Sequence, residues 1–414
     1  MEKKNILEVT QSELCMGCGI CQDACPHGCI NIQHNNTNQP QLNESTCVNC
    51  GLCYASCPGK GVGLKSCAEQ MYPDGKQDQY IGRYEATYTG YSNDKEIRYH
   101  SASGGLITQF LIYLFNKKLI DGAVVVGQQN DNKLMPKPFI ARNKQEVITA
   151  RSSKYVVTSM EGMAKEIIAT PGRYVIVGLP CHIQAFRQLE GINKRLRESI
   201  IGHFAIYCSL NKTRLSTDYY FYRYKVDRNK VAGFAYRDDG YMGYMKFTGS
   251  NQEIIKKVPY VHFWMGSHNF FQNPRCSMCF DQFGELSDIS FGDINIPPYN
   301  EDKVGINSCI VRDSKWHEML KNAATEGYIA LESLTLDDLI KSQNYVVSYK
   351  KGRGIAACLS FRRIMKKRIP VNDELLPKPG IKDYLKVLAN SIMMYLGEKR
   401  IYWPLIKSLD PYKD

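Results

Sequence analysis

Near its start the chain reads Cys15-Met-Gly-Cys18-Gly-Ile-Cys21-Gln-Asp-Ala-Cys25-Pro26, and the same pattern returns as Cys47-Val-Asn-Cys50-Gly-Leu-Cys53-Tyr-Ala-Ser-Cys57-Pro58. Both copies have the spacing C-x2-C-x2-C-x3-C-P at a constant offset, which makes them an internal repeat. The chain has 414 residues and 16 cysteines, and nine of the first ten cysteines precede residue 60. The length suggests two or three domains, and the concentration of cysteines predicts a separate N-terminal domain over residues 1–70.

This spacing is typical of two-cluster bacterial ferredoxins, in which three cysteines on a short loop bind one iron–sulfur cubane and the fourth binds the other. A proline after the fourth cysteine suits the first position of a helix, where its missing N–H costs little. Zinc ribbons are the alternative, but each needs only two C-x2-C pairs. We therefore predict two 4Fe-4S clusters, whose ligands are Cys15, Cys18, Cys21 and Cys57 for the first cluster and Cys47, Cys50, Cys53 and Cys25 for the second.

The composition is that of a globular protein, with 43% hydrophobic and 23% charged residues. The formal net charge is +12. Because each cluster with its four thiolates adds about −2, the loaded N-terminal domain would lower this to about +8. That balance favours acidic electron carriers or phosphate-bearing cofactors. The sequence carries no helix-turn-helix, zinc-finger or RNA-binding signature, so no nucleic-acid partner is expected.

The cysteine usage and the hydropathy pattern predict a cytoplasmic protein. No apolar export signal follows Met1, and cysteine-rich chains without one usually keep their thiols reduced. The longest apolar stretch, 106–115, is shorter than a membrane-spanning helix requires. Residues 351–414 are predicted to form a basic helical C-terminal extension. Two interpretations are open for its basic stretches, 362–368 and 381–406: peripheral contact with an anionic membrane surface or an acidic partner, and an ordinary solvated helix face.

Between a connector at 71–91, rich in Tyr, Gly and Asp, and the C-terminal extension, apolar runs alternate with helical patterns. The runs Gly122–Val126, Tyr174–Val177 and Ile201–Tyr207 are continuous rather than alternating, as in buried parallel strands. Residues 92–350 are therefore predicted to form an α/β core with a mostly parallel sheet. Shorter runs between 231 and 258 predict a small antiparallel insertion. The predicted fold class is an α+β ferredoxin-like N-terminal domain fused to this α/β core.

Two stretches of the core carry groups suited to phosphate. Ser101-Ala-Ser-Gly-Gly105 precedes the apolar helix that begins at Leu106, and glycines at a helix start let a ligand approach the backbone N–H groups. Arg151-Ser-Ser-Lys-Tyr155 offers cationic and hydroxyl donors. Helix capping by the serines and ordinary surface charge explain the same residues, so both interpretations stay open.

Four more cysteines are candidates for a further metal site. Cys181 and Cys208 follow predicted strands, and the carboxyl ends of parallel strands are where ligands usually bind. Cys276-Ser-Met-Cys279 has the compact spacing of a ligand pair. A third cluster, a zinc or redox pair and simple packing all remain open. His182 follows Cys181, but adjacent residues do not face each other, which argues against a cysteine–histidine hydrolase.

The core motifs occur in the order seen in one family, with Val177-Gly-Leu-Pro-Cys181 and Ser287-Asp-Ile-Ser-Phe-Gly-Asp293 among them. Over roughly residues 84–350 the chain resembles the coenzyme F420 hydrogenase/dehydrogenase beta-subunit family. The resemblance implies FAD near Ser101, Ser103, Gly104, Gly105, Arg151, Ser152, Ser153 and Lys154. It also implies a third 4Fe-4S cluster on Cys181, Cys208, Cys276 and Cys279. In one departure, Tyr207-Cys208-Ser209-Leu210 stands where the family commonly has Phe-Cys-His-Gly.

The family's members are iron–sulfur flavoproteins, so the resemblance implies an oxidoreductase. Such a protein passes electrons between a two-electron carrier, a deazaflavin or another, and one-electron centres that lead to a redox partner protein. For members in bacteria that lack the deazaflavin, it also implies a role in surface-polysaccharide biosynthesis. The residues leave a second function open, a non-enzymatic ferredoxin-type electron carrier or docking subunit without flavin. No catalytic residue is predicted.

Overall fold

A computed structural model describes residues 4–129, 132–267 and 269–412 of the chain. The strands are β1 Ile30–Gln33, β2 Gln39–Leu42, β3 Lys76–Asp78, β4 Gly82–Tyr84, β5 Ala86–Ser92, β6 Gly122–Gln129, β7 Asn132–Ala141, β8 Tyr174–Gly178, β9 Ile200–Ile206, β10 Gly233–Asp238, β11 Tyr244–Thr248, β12 Ile254–Pro259, β13 Ile289–Asp293, β14 Asn307–Val311 and β15 Ile329–Ser333. The α-helices are α1 Leu7–Thr10, α2 Ile20–Asp23, α3 Leu52–Ala55, α4 Leu64–Met71, α5 Lys95–Tyr99, α6 Leu106–Asn116, α7 Lys144–Thr149, α8 Met163–Ala169, α9 Pro180–Ile192, α10 Lys194–Ser199, α11 Leu215–Arg223, α12 Tyr260–Ser267, α13 Ser314–Thr325, α14 Leu336–Ser342, α15 Asn344–Lys350, α16 Arg353–Ile364, α17 Ile381–Glu398 and α18 Trp403–Leu409.

An eight-stranded sheet with the order β15-β5-β14-β13-β9-β8-β6-β7 forms the centre of the core. Four adjacent interior strands, β13, β9, β8 and β6, run parallel to one another. The strands on either side are antiparallel to their neighbours. The predicted α/β core is therefore confirmed, but the sheet is mixed, with its parallel strands confined to the centre.

Two layers of helices explain why β8 is apolar along its whole length. Val175 and Val177 pack on one face of the sheet, in an apolar cluster with α6 and α13. Tyr174 and Ile176 pack on the other face, in a cluster with α9. Since both faces are buried, the strand needs no alternation of polar and apolar residues. The continuous apolar run that predicted a parallel strand follows from this position.

The N-terminal cysteine-rich segment packs on the α9 side of the sheet. Ile20 of α2 and Phe186 of α9 belong to the same apolar cluster. The Asp23 carboxylate accepts hydrogen bonds from the backbone N–H groups of Gly162 (2.8 Å) and Ala164 (3.0 Å) at the start of α8. β1 and β2 form a separate antiparallel ladder within the segment. The segment and the core thus share one buried interface, and the predicted boundary at residue 70 falls at the end of α4.

The predicted connector differs from the structure, because its end lies inside the sheet. Residues 76–84 form the small β3–β4 ladder, and residues 86–92 form β5, which pairs with β14 on one side and β15 on the other. The sequence does not predict this strand, because its buried positions include the polar residues Thr87 and Thr89 and so show no apolar run. The Thr87 hydroxyl donates to the Leu334 carbonyl at 2.6 Å. A hydroxyl satisfied in this way can be buried at little cost.

The predicted insertion is a three-stranded antiparallel sheet, β10-β11-β12, outside the main sheet. Its aromatic side chains, among them Phe234 and Phe247, form an apolar cluster with α11, α12 and Trp403 of α18. The last helix, α18, is therefore anchored on the insertion, whereas α16 packs in the apolar cluster on the α9 side of the main sheet. Within the described ranges, no helix combines the length and the apolarity needed to cross a bilayer.

Candidate redox site

The two cysteine repeats have the same local backbone. Gly19 and Gly51 adopt the left-handed conformation, with φ of +79° and +82°, and immediately precede α2 and α3. At Gly19 a side chain would also collide with Ser159, whose Oγ lies 1.9 Å from the position of a Cβ atom. Glycine is therefore required in this turn both by conformation and by space. The turn places the third cysteine of each copy, Cys21 or Cys53, on a helix while the first two stay on the loop.

Cysteines from both copies line one cavity near the surface. Cys25 comes from the first copy and Cys47, Cys50 and Cys53 come from the second, while Cys29, which belongs to neither repeat pattern, also lines the cavity. The cavity is shallow and partly open to solvent. Backbone N–H groups donate to two of the sulfurs, from Cys29 to Cys25 (3.3 Å) and from Asn49 to Cys47 (3.4 Å). The structure thus brings together the four residues predicted to bind the second cluster.

The four cysteines predicted for the first cluster lie deeper in the protein. Cys57, from the second copy, is the strongest charged neighbour of Cys15 and Cys18. Burial, followed by the charge of Cys57, raises the pKa of Cys15 to about 12 and raises that of Cys18 as well. Four neighbouring thiolates that repel one another, three of them buried, are stable only if positive charge lies among them. A cluster core supplies that charge, so this donor set fits one.

A third group of thiols is assembled from separate parts of the core. Cys181 lies in the first turn of α9, directly after β8, and Cys208 follows the end of β9. Cys276 and Cys279 lie on or just after the 3-10 turn Pro274–Met278. Burial and the charges of Cys208, Cys18, Cys276 and Cys279 raise the pKa of Cys181. The four candidate ligands are therefore neighbours, and Cys18 of the first set lies beside them.

The spacing of these thiols suits a cluster better than a single ion. A zinc ion about 2.3 Å from each sulfur would bring its ligand atoms within roughly 4 Å of one another. Among the described residues, the one group of three or more His, Cys, Asp or Glu ligand atoms within 4.8 Å of each other is His100, Asp238 and Asp239. Lys246 forms ion pairs with both carboxylates of that trio, which therefore needs no ion. The wider spacing of the cysteine sets leaves room for a multi-iron core.

His182 is held as a neutral residue beside Cys181. The Leu179 N–H donates to its Nδ1 at 3.2 Å, and its Nε2 lies 3.0 Å from the Thr158 carbonyl, to which it donates. Burial lowers the pKa of His182 to about 4. Because both ring nitrogens are already used, this arrangement gives further reason to reject a cysteine–histidine hydrolase.

Four strands bring the candidate groups to one edge of the sheet. β8 ends before Cys181 and β9 ends before Cys208, while β5 ends at Ser92 and β13 at Asp293. β5 runs in the same direction as β13, because both pair antiparallel with β14. In open sheets of this kind, ligands bind outside the carboxyl ends of the strands. The geometry therefore favours this edge as the functional site.

The Ser101–Gly105 loop lies at this edge, but its serines do not cap α6. The Ser101 and Ser103 hydroxyls donate to backbone carbonyls inside the protein, each at 2.7 Å. Gly105 occupies the N-cap position in the left-handed conformation, and the Leu106 N–H donates to the Asn307 side chain at 3.1 Å. The interpretation of the serines as helix caps is therefore wrong. The turn at Gly105 makes Asn307, from β14, the capping residue.

The backbone N–H groups of this loop are the donors that remain for a ligand. Within the described part of the chain, the N–H groups of residues 102–105 donate no hydrogen bond to the protein. Ser103, Gly104 and Gly105 are buried. Buried N–H groups without a partner are rare in native proteins, and a row of them before an α-helix suits an anion. The loop fits a phosphate through its backbone rather than through its hydroxyls.

The Arg151–Tyr155 stretch forms a loop between α7 and α8 whose donors are largely used. Lys154 Nζ donates to the carbonyls of Ala150, Arg151 and Ser152 at 2.6–2.9 Å. The Ser152 hydroxyl donates to the Arg237 carbonyl. Burial, followed by the charge of Arg151, lowers the pKa of Lys154 to about 7. Lys154 and Ser152 therefore stabilise the loop itself, and among the described residues Arg151 and Ser153 make no such bonds.

Sequence reasoning missed the pair beneath this loop that the buried Arg237 forms with the half-buried Asp293. Arg237 Nη1 lies 2.6 Å from the Asp293 carboxylate, and the guanidinium lies over the rings of Tyr260 and Tyr241, 4.7 and 5.1 Å from their centroids. Asp293 is the last residue of the Ser287–Asp293 motif, so the sequence offered a signal that could have pointed to it. Nothing in the sequence marks Arg237, because only the fold brings β10 to the end of β13.

Two family profiles match most of the core. The profile for the N-terminal part of the coenzyme F420 hydrogenase/dehydrogenase beta subunit matches residues 87–165, and the profile for its C terminus matches residues 172–337. Together they cover more than half of the chain. The chain belongs to this family. A 4Fe-4S dicluster domain profile matches residues 14–61, which supports the predicted pair of clusters in the N-terminal segment.

Relatives with known names are redox proteins. The chain is 25% identical to the coenzyme F420 hydrogenase subunit beta of Methanosarcina barkeri over 61% of its own length and 82% of that protein. It is 24% identical to the coenzyme F420-dependent sulfite reductase of Methanocaldococcus jannaschii, over 76% of its own length and 47% of that protein. These likenesses and the dicluster domain confirm the prediction of an iron–sulfur protein of oxidoreductase type.

A solved structure shares the fold. A chain in the F420-reducing NiFe hydrogenase complex of Methanosarcina barkeri superposes with a TM-score of 0.56 at 20% identity, over 72% of this chain and 98% of that one. The superposition supports the mixed α/β core with its eight-stranded sheet. In that structure the matching chain is part of a hydrogenase complex.

Proposed function

We propose that the protein is an iron–sulfur flavoprotein that exchanges electrons between a two-electron carrier and a redox partner protein. One observation carries the proposal. The N–H groups of residues 102–105, which donate no hydrogen bond within the described chain, and the thiols of Cys181 and Cys208 lie at the same edge of the sheet, and Cys18 of the N-terminal segment adjoins Cys181. A phosphate-bearing cofactor and a chain of clusters can therefore be held side by side. The proposed domains are residues 1–70, 92–350 and 351–414, with 71–91 as a link that ends in the sheet.

The thiols form an ordered series from the core to the surface. The third set, on Cys181, Cys208, Cys276 and Cys279, borders the first set through Cys18. The second set is connected to the first by the exchange of ligands between the repeats, since Cys57 lies with the first set and Cys25 with the second. Cys47 and Cys50 are partly exposed. We propose that single electrons pass in this order to a partner docked at the second set, or in the reverse direction.

FAD is the cofactor that we assign to the sheet edge. When bound, FAD exchanges two electrons and a proton as a hydride equivalent with the carrier and exchanges the electrons one at a time with a cluster. The N–H groups of residues 102–105 would hold a phosphate of the cofactor, and Arg151 would add a positive charge. Asn307 and the Arg237–Asp293 pair hold the two loops in place. The protein's own task is to fix the distance between flavin and cluster and to exclude water.

Anaerobic purification of the full chain tests this proposal. We expect about twelve iron atoms and twelve acid-labile sulfides per chain, as three 4Fe-4S clusters require, together with about one extractable flavin. About eight irons without flavin would support the alternative, a ferredoxin-type carrier or docking subunit. A colourless protein that contains zinc would contradict both functions.

The identity of the two-electron carrier can be tested with the same material. The names of relatives make reduced deazaflavin the first donor to try, with a viologen dye as a one-electron acceptor so that each donor molecule reduces two dye molecules. Reduced nicotinamide and reduced ferredoxin are the comparison donors. If no deazaflavin activity is found while flavin and all clusters are present, a substrate in surface-polysaccharide biosynthesis becomes the class to test. Loss of flavin with unchanged activity would refute the proposed route.

We further propose that the C-terminal extension contacts an anionic membrane surface from the cytoplasmic side. Along α17 the outward residues are apolar and exposed at a spacing that places them on one face: Ile381, Leu385, Leu388, Ile392 and Tyr395. Lys382 and Lys386 are exposed beside them, and Asp383 caps the helix by accepting the Gly380 N–H at 2.9 Å. An exposed apolar face flanked by lysines suits the interface of an anionic bilayer.

Sedimentation with lipid vesicles tests this contact. The holoprotein should pellet with vesicles that contain phosphatidylglycerol and should not pellet with purely zwitterionic ones. The double change Leu388→Ser and Ile392→Ser should abolish pelleting, while Tyr345→Ser, at an exposed site outside the extension, should not affect it. Absence of vesicle binding combined with dimerisation that the double change abolishes would reassign the face to a second copy of the chain.

A further inference from the structure

Two buried cations flank the third set of thiols, and the proposed electron route does not by itself require them. Lys350, at the end of α15, is 2% exposed, and its Nζ donates to the carbonyls of Cys208 and Asp281, both at 2.8 Å. The same Nζ lies 3.7 Å from Cys279 Sγ. The carbonyls therefore fix the ammonium group so that its remaining proton faces a sulfur.

Arg275 connects the third set with the first. It is 3% exposed, its Nη1 donates to the Met278 carbonyl at 2.8 Å, and its Nε donates to the Gly59 carbonyl at 3.1 Å. Gly59 follows Cys57 by two residues, and Cys57 is among the charged neighbours of Arg275 together with cysteines of the third set. One guanidinium thus joins the loops that carry ligands of two different clusters.

The second set lacks comparable cations among its principal neighbours. For Cys25 and Cys53, the strongest influences besides burial are backbone N–H groups and other cysteines within the described structure. For the third set, the buried Lys350 ammonium lies 3.7 Å from Cys279 Sγ, and cysteines of the set are the strongest charged neighbours of the buried Arg275. A positive charge near a cluster stabilises the reduced, more negative state and raises its reduction potential. The effect is large when the charge is buried, because little solvent screens it.

We propose that Lys350 and Arg275 are positioning residues that raise the reduction potential of the third cluster, so that this cluster takes up the single electrons that leave the flavin. Arg275 raises the potential of the first cluster at the same time, which keeps the two similar and the transfer between them close to balanced. The inference rests on the proposed function, because it assumes a flavin at the sheet edge and clusters on the thiol sets. It adds the residues that set the reduction potential of the cluster nearest the flavin.

The test is a redox titration of the anaerobically purified full chain, followed by electron paramagnetic resonance. In Lys350→Gln the third cluster should have a lower midpoint potential, by about 59 mV or more, which is a tenfold fall in the ratio of reduced to oxidised cluster. The second cluster should not change. Lys350→Arg keeps the charge and should restore most of the potential. Lys351→Gln is the matched control, since this neighbouring buried lysine pairs with Glu285 and Glu374 instead of thiols.

Iron and flavin content separates the possible outcomes. If the unchanged protein contains about eight irons or no flavin, the proposed function fails before any variant is compared. If Lys350→Gln contains all three clusters and the third potential is unchanged, the assignment of Lys350 is overturned while the proposed function stands. If Lys350→Gln loses its third cluster, the same redox titration of Arg275→Gln is the deciding measurement. A variant with full iron whose first and third potentials equal those of the unchanged protein would refute the inference.

Discussion

The two ends of strand β13 hold charged groups under opposite conditions. At the amino end, the Asp288 carboxylate accepts hydrogen bonds from Arg187 (2.9 Å), from the Tyr72 hydroxyl (3.0 Å) and from the His203 backbone N–H (2.6 Å). Beyond the carboxyl end, the thiols around Cys181 raise one another's pKa, and the N–H groups of residues 102–105 lack partners within the described chain. Groups that satisfy one another stabilise the fold, whereas groups left in need of a partner are available to bind a cofactor.

We expect the largest effect from a substitution among the thiols beyond the carboxyl end of β13. Cys181→Ala should remove the third cluster, so that iron falls from about twelve to about eight atoms per chain, because a cubane that loses one of four protein ligands is not retained. The two N-terminal clusters should remain, since their ligands lie on the repeats. Iron and sulfide analysis with electron paramagnetic resonance measures the change.

Cys309→Ala is the matched control for this experiment. Cys309 is fully buried, and burial alone raises its pKa to about 12, with no thiol among its neighbours of note. Its replacement should cost some packing energy but no iron. If Cys181→Ala retains all twelve irons, or if Cys309→Ala loses four, the assignment of the third set is wrong.

A change at the amino end should have the opposite result, a loss of stability without loss of cofactor. Asp288→Asn leaves the half-buried Arg187 without its nearest charged partner, which we expect to lower the free energy of unfolding by about 2–4 kcal/mol. Burial raises the pKa of Asp288, but the charge of Arg187 and the bonds from His203 outweigh it and hold the pKa well below its ordinary value. The stabilisation should therefore be complete above about pH 4, the ordinary pKa of an aspartate, and should be lost as the pH falls further.

Anaerobic urea unfolding at several pH values measures this effect, with iron content determined on the folded fraction. Asp121→Asn is the control, because Asp121 pairs with Arg173 on the surface at 2.9 Å and both side chains are about half exposed. A surface pair of this kind adds little to stability. Equal destabilisation by both changes, or loss of iron in folded Asp288→Asn, would show that the two ends of β13 do not differ as described.

The parts of the fold that could be predicted are those in which neighbours along the chain are neighbours in space. The cysteine repeats show their spacing directly, and β8 and β9 show their burial on two faces as continuous apolar runs. β5 could not be predicted, because its buried threonines are satisfied by partners such as the Leu334 carbonyl, more than 200 positions away. The antiparallel strands at both sides of the sheet were missed for the same reason, since pairing depends on distant segments.

The residues of the candidate site likewise fall into those that the sequence predicts and those that it does not. Cys276 and Cys279 stand out by spacing, but that they meet Cys181 and Cys208 follows only from the order of the strands. The serines of the 101–105 loop suggest a helix cap, because serine is common at that position. In the structure that role belongs to Asn307, which no local pattern connects with Leu106. Residues whose contacts lie far away along the chain, such as Arg275 and Lys350, show no local sequence pattern.

The smallest predicted effect concerns the N–H groups at the sheet edge. At Gly104 a Cβ atom would lie 2.8 Å from the Gly90 carbonyl and 2.9 Å from the Asn307 backbone nitrogen, so Gly104→Ala must move the loop and misdirect its N–H groups. We expect FAD affinity to fall about tenfold, or about 1.4 kcal/mol, with iron unchanged; flavin binding to flavin-depleted protein measures it. Gly191→Ala is the control, because a Cβ there meets no atom within 4 Å. Equal flavin affinity in the two variants would mean that the phosphate is held elsewhere, and that the unpaired N–H groups at this end of the sheet are not its binding site.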